Sequence, residues 1–431
     1  MVANNNNALY ESLSKLVKEA FNIFHAHIAN VNISSEYDIF LLSIKLMELD
    51  KSITEIDEFK KVDELMNEDK TISRHFGNLV GTSMGASTIE SAKSCILLFL
   101  RKLFIKEKIS KVKFDFLKEY KEFEDFFYLD YVKMHKKCIL HNFECDLEKV
   151  EFDHGILIRK LTDGENIEYD LAFRKSGARN QFKRNRADDY NLSDFLIEVF
   201  FNVPKCISGK QMSEADGKNQ NLDEIFDNII TSMRLLKESS SYCDNEIRTE
   251  VISYSPIVGT TINTTFYNNY TSGGVSKFSS LELDELRKIY MSLKDTNHLF
   301  KLAARRLKFG IERIRLEDKL IDFMIGLEAI YLPDSGDLKF KLSLRCALML
   351  YVASFTEAMK AYKFLKDMYD LRSSIVHGNT TNREKLKQEN LKILEEILRK
   401  TIYAGVKEPA KFNSENLEKL YFLGLNGIVS S

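Results

Sequence analysis

The chain has 431 residues, with 62 Lys and Arg against 64 Asp and Glu and a formal net charge of −2. A length of that order suggests about two or three domains with ample core. The near-neutral balance excludes a global nucleic-acid field, so any RNA contact must be a local basic patch. Four Pro and no Trp fit a mostly helical chain. The longest apolar run, Cys346 to Ala353, is far short of the ~20 residues of a spanning helix, so no membrane partner is expected. Met1-Val2-Ala3 followed by Asn4–Asn7 has neither the charged nor the apolar region of a signal peptide. Six scattered Cys without paired spacings fit a reducing compartment, and the localisation expected is cytoplasmic.

Residues 1–110 read as a helical N-terminal region. Helices are predicted from Leu9 to Ile28, Tyr37 to Leu49, Ile53 to Met66 and Thr88 to Ile105. The texture changes over 111–275, which reads as a β-rich sensor or binding domain. Strands are predicted at Lys149–Phe152, Gly155–Arg159, Ile167–Phe173, Val251–Pro256 and Thr260–Tyr267. The clearest is Phe195–Val203, where β-branched and aromatic residues dominate. A helix from Leu222 to Leu236 interrupts them, and Ser272-Gly273-Gly274 marks a boundary.

Two constellations in this zone bear on chemistry. His135, Cys138, His141 and Cys145 are zinc-type ligands at short intervals, but on a helix His141 would lie about 240° round from His135. The pattern also lacks the long loop between ligand pairs, so no metal or other cofactor is expected. The segment Arg174, Lys175, Arg179, Lys183, Arg184 and Arg186, with Phe182 among them, suits a phosphate-binding RNA patch. Its alternative is a solvated loop balanced by Asp188 and Asp189.

From Leu281 onward the pattern is helical. Leu320, Met324, Leu327 and Tyr331 form a buried-face stripe, with Glu328 flanking it. Phe340, Leu344, Ala347, Leu348 and Tyr351 outline the next helix, with Arg345 beside the stripe. The turn formers of 333–337 separate the two. A third stripe runs from Phe355 to Val376, and Arg372 stands where a core residue would be expected. Gly378-Asn379 is a C-cap signature, which puts His377 in the last turn. A final helix runs from about Glu384 to Tyr403, leaving 406–431 as a tail.

An Arg and a His at a helix end are the two side chains a metal-independent ribonuclease needs. His moves protons to or from the 2′-hydroxyl and the leaving oxygen, and Arg holds the phosphate. The bare spacing is weak in a chain with 8 His. Residues five apart on a regular helix also point about 140° apart. The pair therefore converges only through a distorted last turn or a second subunit. The competing reading pairs Arg372 with a buried carboxylate and has His377 cap its own helix.

Residues 280–405 resemble the HEPN superfamily, most closely the ApeA-like HEPN domains of bacterial anti-phage and abortive-infection proteins. Three stretches carry the resemblance: Arg313 to Glu328 ending Gly-Leu-Glu-Ala-Ile-Tyr-Leu, Lys341-Leu-Ser-Leu-Arg-Cys-Ala, and Tyr369-Asp-Leu-Arg-Ser-Ser-Ile-Val-His-Gly. The chain as a whole reads as α+β, and the resemblance implies that its C-terminal part is an all-α helical bundle that forms a homodimer and cuts RNA without a metal. Arg372 and His377 match its catalytic pair. Glu328 and Arg345 match polar positions of the other family motifs and are expected to orient the pair; Asp370 and Ser373 are expected as further supports, Ser373 departing from the Asn, Asp or His that many HEPN motifs place after the Arg. By the same analogy, residues 1–275 restrain the nuclease until a phage or cellular cue appears. The alternative is a non-catalytic HEPN module that dimerises or docks a partner. A nucleotide-binding sensor in the β-rich zone finds no Gly-rich phosphate loop to support it.

Overall fold

A computed structural model describes residues 5–28, 36–82, 85–110, 113–153, 155–162, 165, 195–207, 223–251, 261–264, 274–332, 336–351, 353–378, 383–413 and 415–419. The predicted strand at Ile167–Phe173 and the whole 174–186 cationic segment lie outside the described residues. So do most of the residues assigned above to strands at 251–256 and 260–267.

The chain is a mixture of helix and strand with a helical C-terminal region. In chain order the helices are α1 (Asn7–His27), α2 (Glu36–Glu48), α3 (Asp50–Thr54), α4 (Asp57–Glu68), α5 (Lys70–Ser73), α6 (Ala92–Ser110) and α7 (Phe116–Tyr128). These are followed by α8 (Asp223–Leu236), α9 (Ser280–Asp295), α10 (His298–Glu312), α11 (Leu316–Tyr331), α12 (Leu338–Tyr351), α13 (Phe355–Val376) and α14 (Gln388–Lys407). The strands are β1 (Leu79–Thr82), β2 (Gly85–Thr88), β3 (Tyr131–His141), β4 (Phe143–Cys145) and β5 (Lys149–Asp153). The remaining ones are β6 (Ile156–Lys160), β7 (Phe195–Pro204), β8 (Tyr242–Val251), β9 (Thr261–Thr264) and β10 (Ser276–Phe278).

Two compact units share the chain discontinuously. The first comprises 1–139, 154–220 and 246–265, and the second 140–153, 221–245 and 266–431. In the first unit α1 starts at Asn6, whose side chain accepts from Leu9 N at 3.0 Å. The helix buries Leu9, Leu13, Leu16, Ala20 and Phe24. The predicted helix over 53–66 is broken into α3 and α4, because Ile56 is extended and the acidic pair Asp57-Glu58 opens a new first turn. Helix α7, capped by Asp115, adds Tyr120, Phe123, Phe126 and Phe127 to this core. Five neighbouring strands of one sheet run β6-β7-β3-β8-β9, with β6 antiparallel to β7 and β8 antiparallel to β9. The segment from His135 to His141 is thus strand, not helix.

In the second unit, the capping box of Ser279 and Glu282 starts α9, and the Asn297 side chain starts α10. Helix α11 packs against α10, α13 and α14, and α12 packs along α13. The core gathers Leu307, Leu320, Phe323, Met324, Leu327, Leu342, Leu365, Met368, Leu371, Leu394 and Leu398. Earlier segments join it: β4 pairs in parallel with β10, and Arg287 Nε donates to the Phe152 carbonyl of β5 at 2.9 Å. All six cysteines are buried thiols. No helix among the described residues is long and apolar enough to cross a membrane.

Helices α10 and α14 meet closely at Gly405, where an added Cβ would fall inside the ring of Phe300. Alanine favours helix by ~1 kcal/mol over glycine, but forced overpacking costs ~1–3 kcal/mol. Gly405→Ala should therefore lower the unfolding free energy measured in urea, despite its better helix propensity. An unchanged or raised midpoint would mean that the Phe300 ring moves aside freely.

Candidate functional site

Helix α13 holds the sequence-predicted pair. Ser354 caps its start by accepting from Glu357 N, and buried Ala358, Leu365, Met368 and Leu371 fix which face turns inward. By helical angle Arg372 falls between Leu365 and Met368, on that inward face, with its side chain 25% exposed. Its Nη1 lies 3.2 Å from Glu328 Oε1 on α11, and the Glu328 side chain is 20% exposed. Its Nε is buried with no hydrogen-bond partner among the described residues. Burial raises the Glu328 carboxyl above the ordinary carboxylate range, outweighing the opposite pull of Arg372. Tyr369, one turn before Arg372, is half-buried. Its phenol is raised by burial and next by the Glu328 charge, while Arg372 lowers it.

His377 is the C-cap of α13, with its backbone N–H donating to the Ser373 carbonyl at 3.1 Å. Gly378 follows at φ +73°, the left-handed turn that an αL helix end requires. The His377 side chain is exposed and makes no hydrogen bond or ion pair with another described residue. Its ring is not tied to Arg372 within this chain.

The other expected supports divide. Glu328 meets Arg372 directly. Arg345 is 1% exposed, and its Nη1 donates to the Tyr331 carbonyl at 2.8 Å, serving the end of α11. Asp370 accepts from Lys339 Nζ of α12 at 2.5 Å. Ser373 is half-buried on α13 beside Arg372, and its carbonyl serves the His377 cap. The cations Arg174, Lys175, Arg179, Lys183, Arg184 and Arg186 lie outside the described residues.

The four residues at zinc-type spacing are spread over two strands. In the first unit His135 Nδ1 bonds Glu198 Oε1 at 2.6 Å. In the second unit His141 stacks on Tyr242 at 4.8 Å, and Cys145 Sγ contacts the Leu147 carbonyl at 3.2 Å. No group of three metal-ligating side chains occurs among the described residues.

Sequence reading missed the rest of the His135 cluster. Glu198 also accepts from Arg159 Nε at 2.6 Å, and Arg159 and Lys137 both hold Glu165. His135 and Lys137 lie on β3, Arg159 on β6 and Glu198 on β7, while Glu165 lies outside the strands, so only the unusual charges within apolar strands hinted at the cluster. A cavity of about 200 Å³ lies elsewhere in the second unit, lined by Glu238, Lys392, Ile393, Glu395, Glu396 and Arg399. It is smaller than the ~300–1,000 Å³ of ordinary small-molecule sites and carries charges of both signs. No family model, curated protein or solved structure matches this chain.

The Glu328 carboxyl binds its proton more tightly in the folded than in the unfolded chain. Its contribution to stability must therefore fall as pH rises above the unfolded value. Unfolding free energies of wild type and Glu328→Gln, compared from about pH 4.5 to about pH 7, should show this loss in the wild type alone. Parallel pH profiles would mean that Arg372 fully offsets the burial.

Proposed function

We propose that the second unit carries a HEPN-type, metal-independent endoribonuclease of the ApeA-like kind, acting as a homodimer in an anti-phage or stress response. The observation that carries this reading is the Arg372–Glu328 pair one turn from an exposed helix-end His377. A guanidinium held partly out of water by a neighbouring helix is oriented for a phosphate, and a His left free of partners can accept and release protons.

In the reaction, one His377 takes the 2′-hydroxyl proton as the 2′-oxygen forms its bond to phosphorus. The bond from phosphorus to the 5′-oxygen breaks, and the His377 of a second copy protonates that leaving oxygen. Arg372 holds the non-bridging oxygens and their growing charge. The products carry a 2′,3′-cyclic phosphate and a 5′-hydroxyl. A second copy answers the angular problem, since His377 lies at a helix end while Arg372 faces α11. Exposed Phe355 (64%) and Met359 (37%), in the first turns of α13, offer it an apolar surface to cover. Residues 1–275 then restrain the nuclease until a phage or cellular trigger acts, a role that rests on family analogy.

A second reading has an observation of its own: Glu328 already occupies Arg372. In that case the bundle is a docking module and the pair is structural. Arg372→Ala would then lower the melting temperature with no selective loss of activity.

Growth of a bacterial host making the wild type should be arrested, with total RNA cut at discrete positions, while stably folded His377→Ala should do neither. If arrest needs a trigger, the contrast should emerge during phage infection. Equal growth and intact RNA in both conditions would remove the nuclease reading. Fragments ending in 3′-hydroxyl and 5′-phosphate would remove the mechanism.

A further inference from the structure

The cavity of about 200 Å³ in the second unit lies outside the Arg372 and His377 region, and nearly all of its walls are charged. Glu238, just past α8, forms one side, and Lys392, Glu395, Glu396 and Arg399 of α14 form the other. These four recur at one- and three-residue steps, so they share one side of the helix. Ile393, 48% exposed, adds the one apolar wall. Within the cavity Arg399 Nη2 donates to Glu395 Oε1, and Arg399 Nε donates to the Arg234 carbonyl of α8 at 2.7 Å. The two side chains are only 13% and 20% exposed.

A guanidinium and a carboxylate that serve only each other can pair through two parallel bonds, and this pair uses one. Arg399 Nη1 and Glu395 Oε2 make no hydrogen bond with a described residue. The surrounding charges are engaged elsewhere: Glu396 meets Lys400 at 2.8 Å, and Lys392 lies 3.8 Å from Glu238. Burial raises the Glu395 carboxyl above the ordinary carboxylate range; Arg399 opposes this and Glu238 adds to it. One guanidinium therefore does not make up for the water that Glu395 has lost, and a second positive group beside it is favoured.

We propose that this cavity binds a free α-amino acid with a small apolar side chain, held by the open halves of the Arg399–Glu395 pair. An α-amino acid carries its ammonium and carboxylate on one carbon, so it matches the two spare atoms of a single ion pair. The ammonium meets Glu395 Oε2, the carboxylate meets Arg399 Nη1, and the side chain lies against Ile393. A simple anion would face three carboxylates, and a simple amine would leave Arg399 Nη1 unused. At ~30 Å³ for each water displaced, the space suits a molecule of under about ten heavy atoms, which leaves out a nucleotide. The site uses neither Arg372 nor His377, so it goes beyond the nuclease reading and stands or falls apart from it.

The test is isothermal titration calorimetry of the full-length chain with three probes of one shape. L-Leucine has both charged groups, isoamylamine lacks the carboxylate, and isocaproate lacks the ammonium. Leucine should bind at one site per chain, and the other two should bind about 10- to 100-fold more weakly or not at all. Glu395→Gln keeps the shape and an oxygen for Arg399, and it should weaken leucine by a similar factor. Ile393→Gln, a change at a half-open helix position, should weaken leucine roughly 3- to 10-fold through lost apolar contact. It carries the test alone if Glu395→Gln lowers the melting temperature.

No binding of leucine up to ~10 mM, the weakest affinity expected of a fully held ligand of this size, overturns the proposal. Equal affinity for isoamylamine makes the cavity a plain cation site, and equal affinity for isocaproate a plain anion site; either overturns it. Leucine binding that ignores both substitutions places the ligand elsewhere and overturns it too.

Discussion

Packing α11 against α10, α12, α13 and α14 takes Asp322 and much of Glu328 out of water, and a desolvated charge needs a partner. The second unit meets this demand at both ends of the helix. Near its start, the buried Asp322 carboxylate takes Arg306 at 2.7 Å and Arg313 at 2.9 Å. Near its end, Glu328 takes Arg372, and the Tyr331 carbonyl takes Arg345. The Tyr331 hydroxyl meets the Thr401 hydroxyl of α14 at 3.1 Å. Polar groups thus fix how α12, α13 and α14 are set around one apolar rod, and Leu320, Phe323, Met324 and Leu327 fill the space between. Arg372 owes its position to this requirement. A nuclease and a docking module would share it, so what separates the two readings is the exposed side of α13.

The first unit follows the same rule with different elements. His135 and Lys137 of β3, Arg159 of β6, Glu198 of β7 and Glu165 outside the strands form a chain of opposite charges, with carboxylates between cations throughout. Two carboxylates sharing three basic partners keep the cluster from being a bare positive patch. On α7, Glu124 is buried but accepts from Tyr120, Lys121 and the backbone of Asn6, so it anchors the start of α1. Lys205 donates to the last carbonyls of α7 at Phe126 and Phe127, where burial and nearby Arg74 lower its amine to about 8.

The sequence revealed most where periodicity was strong and local. The stripe of Leu320, Met324, Leu327 and Tyr331 is a buried helix face, and Gly378 takes the left-handed turn that its place after the last apolar pair required. The strand over 195–203 was legible from its β-branched and aromatic content. Strand β3 was not. Its Lys133, His135, Lys136 and Lys137 interrupt the alternation, and their burial depends on partners such as Asp125, Glu198 and Glu165 elsewhere in the chain. Helix α7 lay hidden because Phe and Glu crowd it on all sides, so its inner face is chosen by the rings it meets. At the candidate site the helix end could be read locally. That Arg372 would choose Glu328, 44 positions earlier by subtraction of the residue numbers, could not be read from spacing alone.

The pairing of β4 with β10 has a consequence for synthesis. The last segment of the first unit ends at residue 265, whereas the second needs residues 143–145 and 276–278 together. A ribosome therefore releases every residue of the first unit before the helix bearing Arg372 has been made. At ~5–20 residues per second, the stretch from 266 to the end of α13 at 376 takes about five to twenty seconds. During that interval β4 waits only until 276–278 of β10 have been made, and the first unit has time to fold. A chain interrupted before α13 carries the complete first unit and no Arg372 or His377. Cutting the helical region out at residue 280 would instead remove β4, β5 and β10 from the unit they complete.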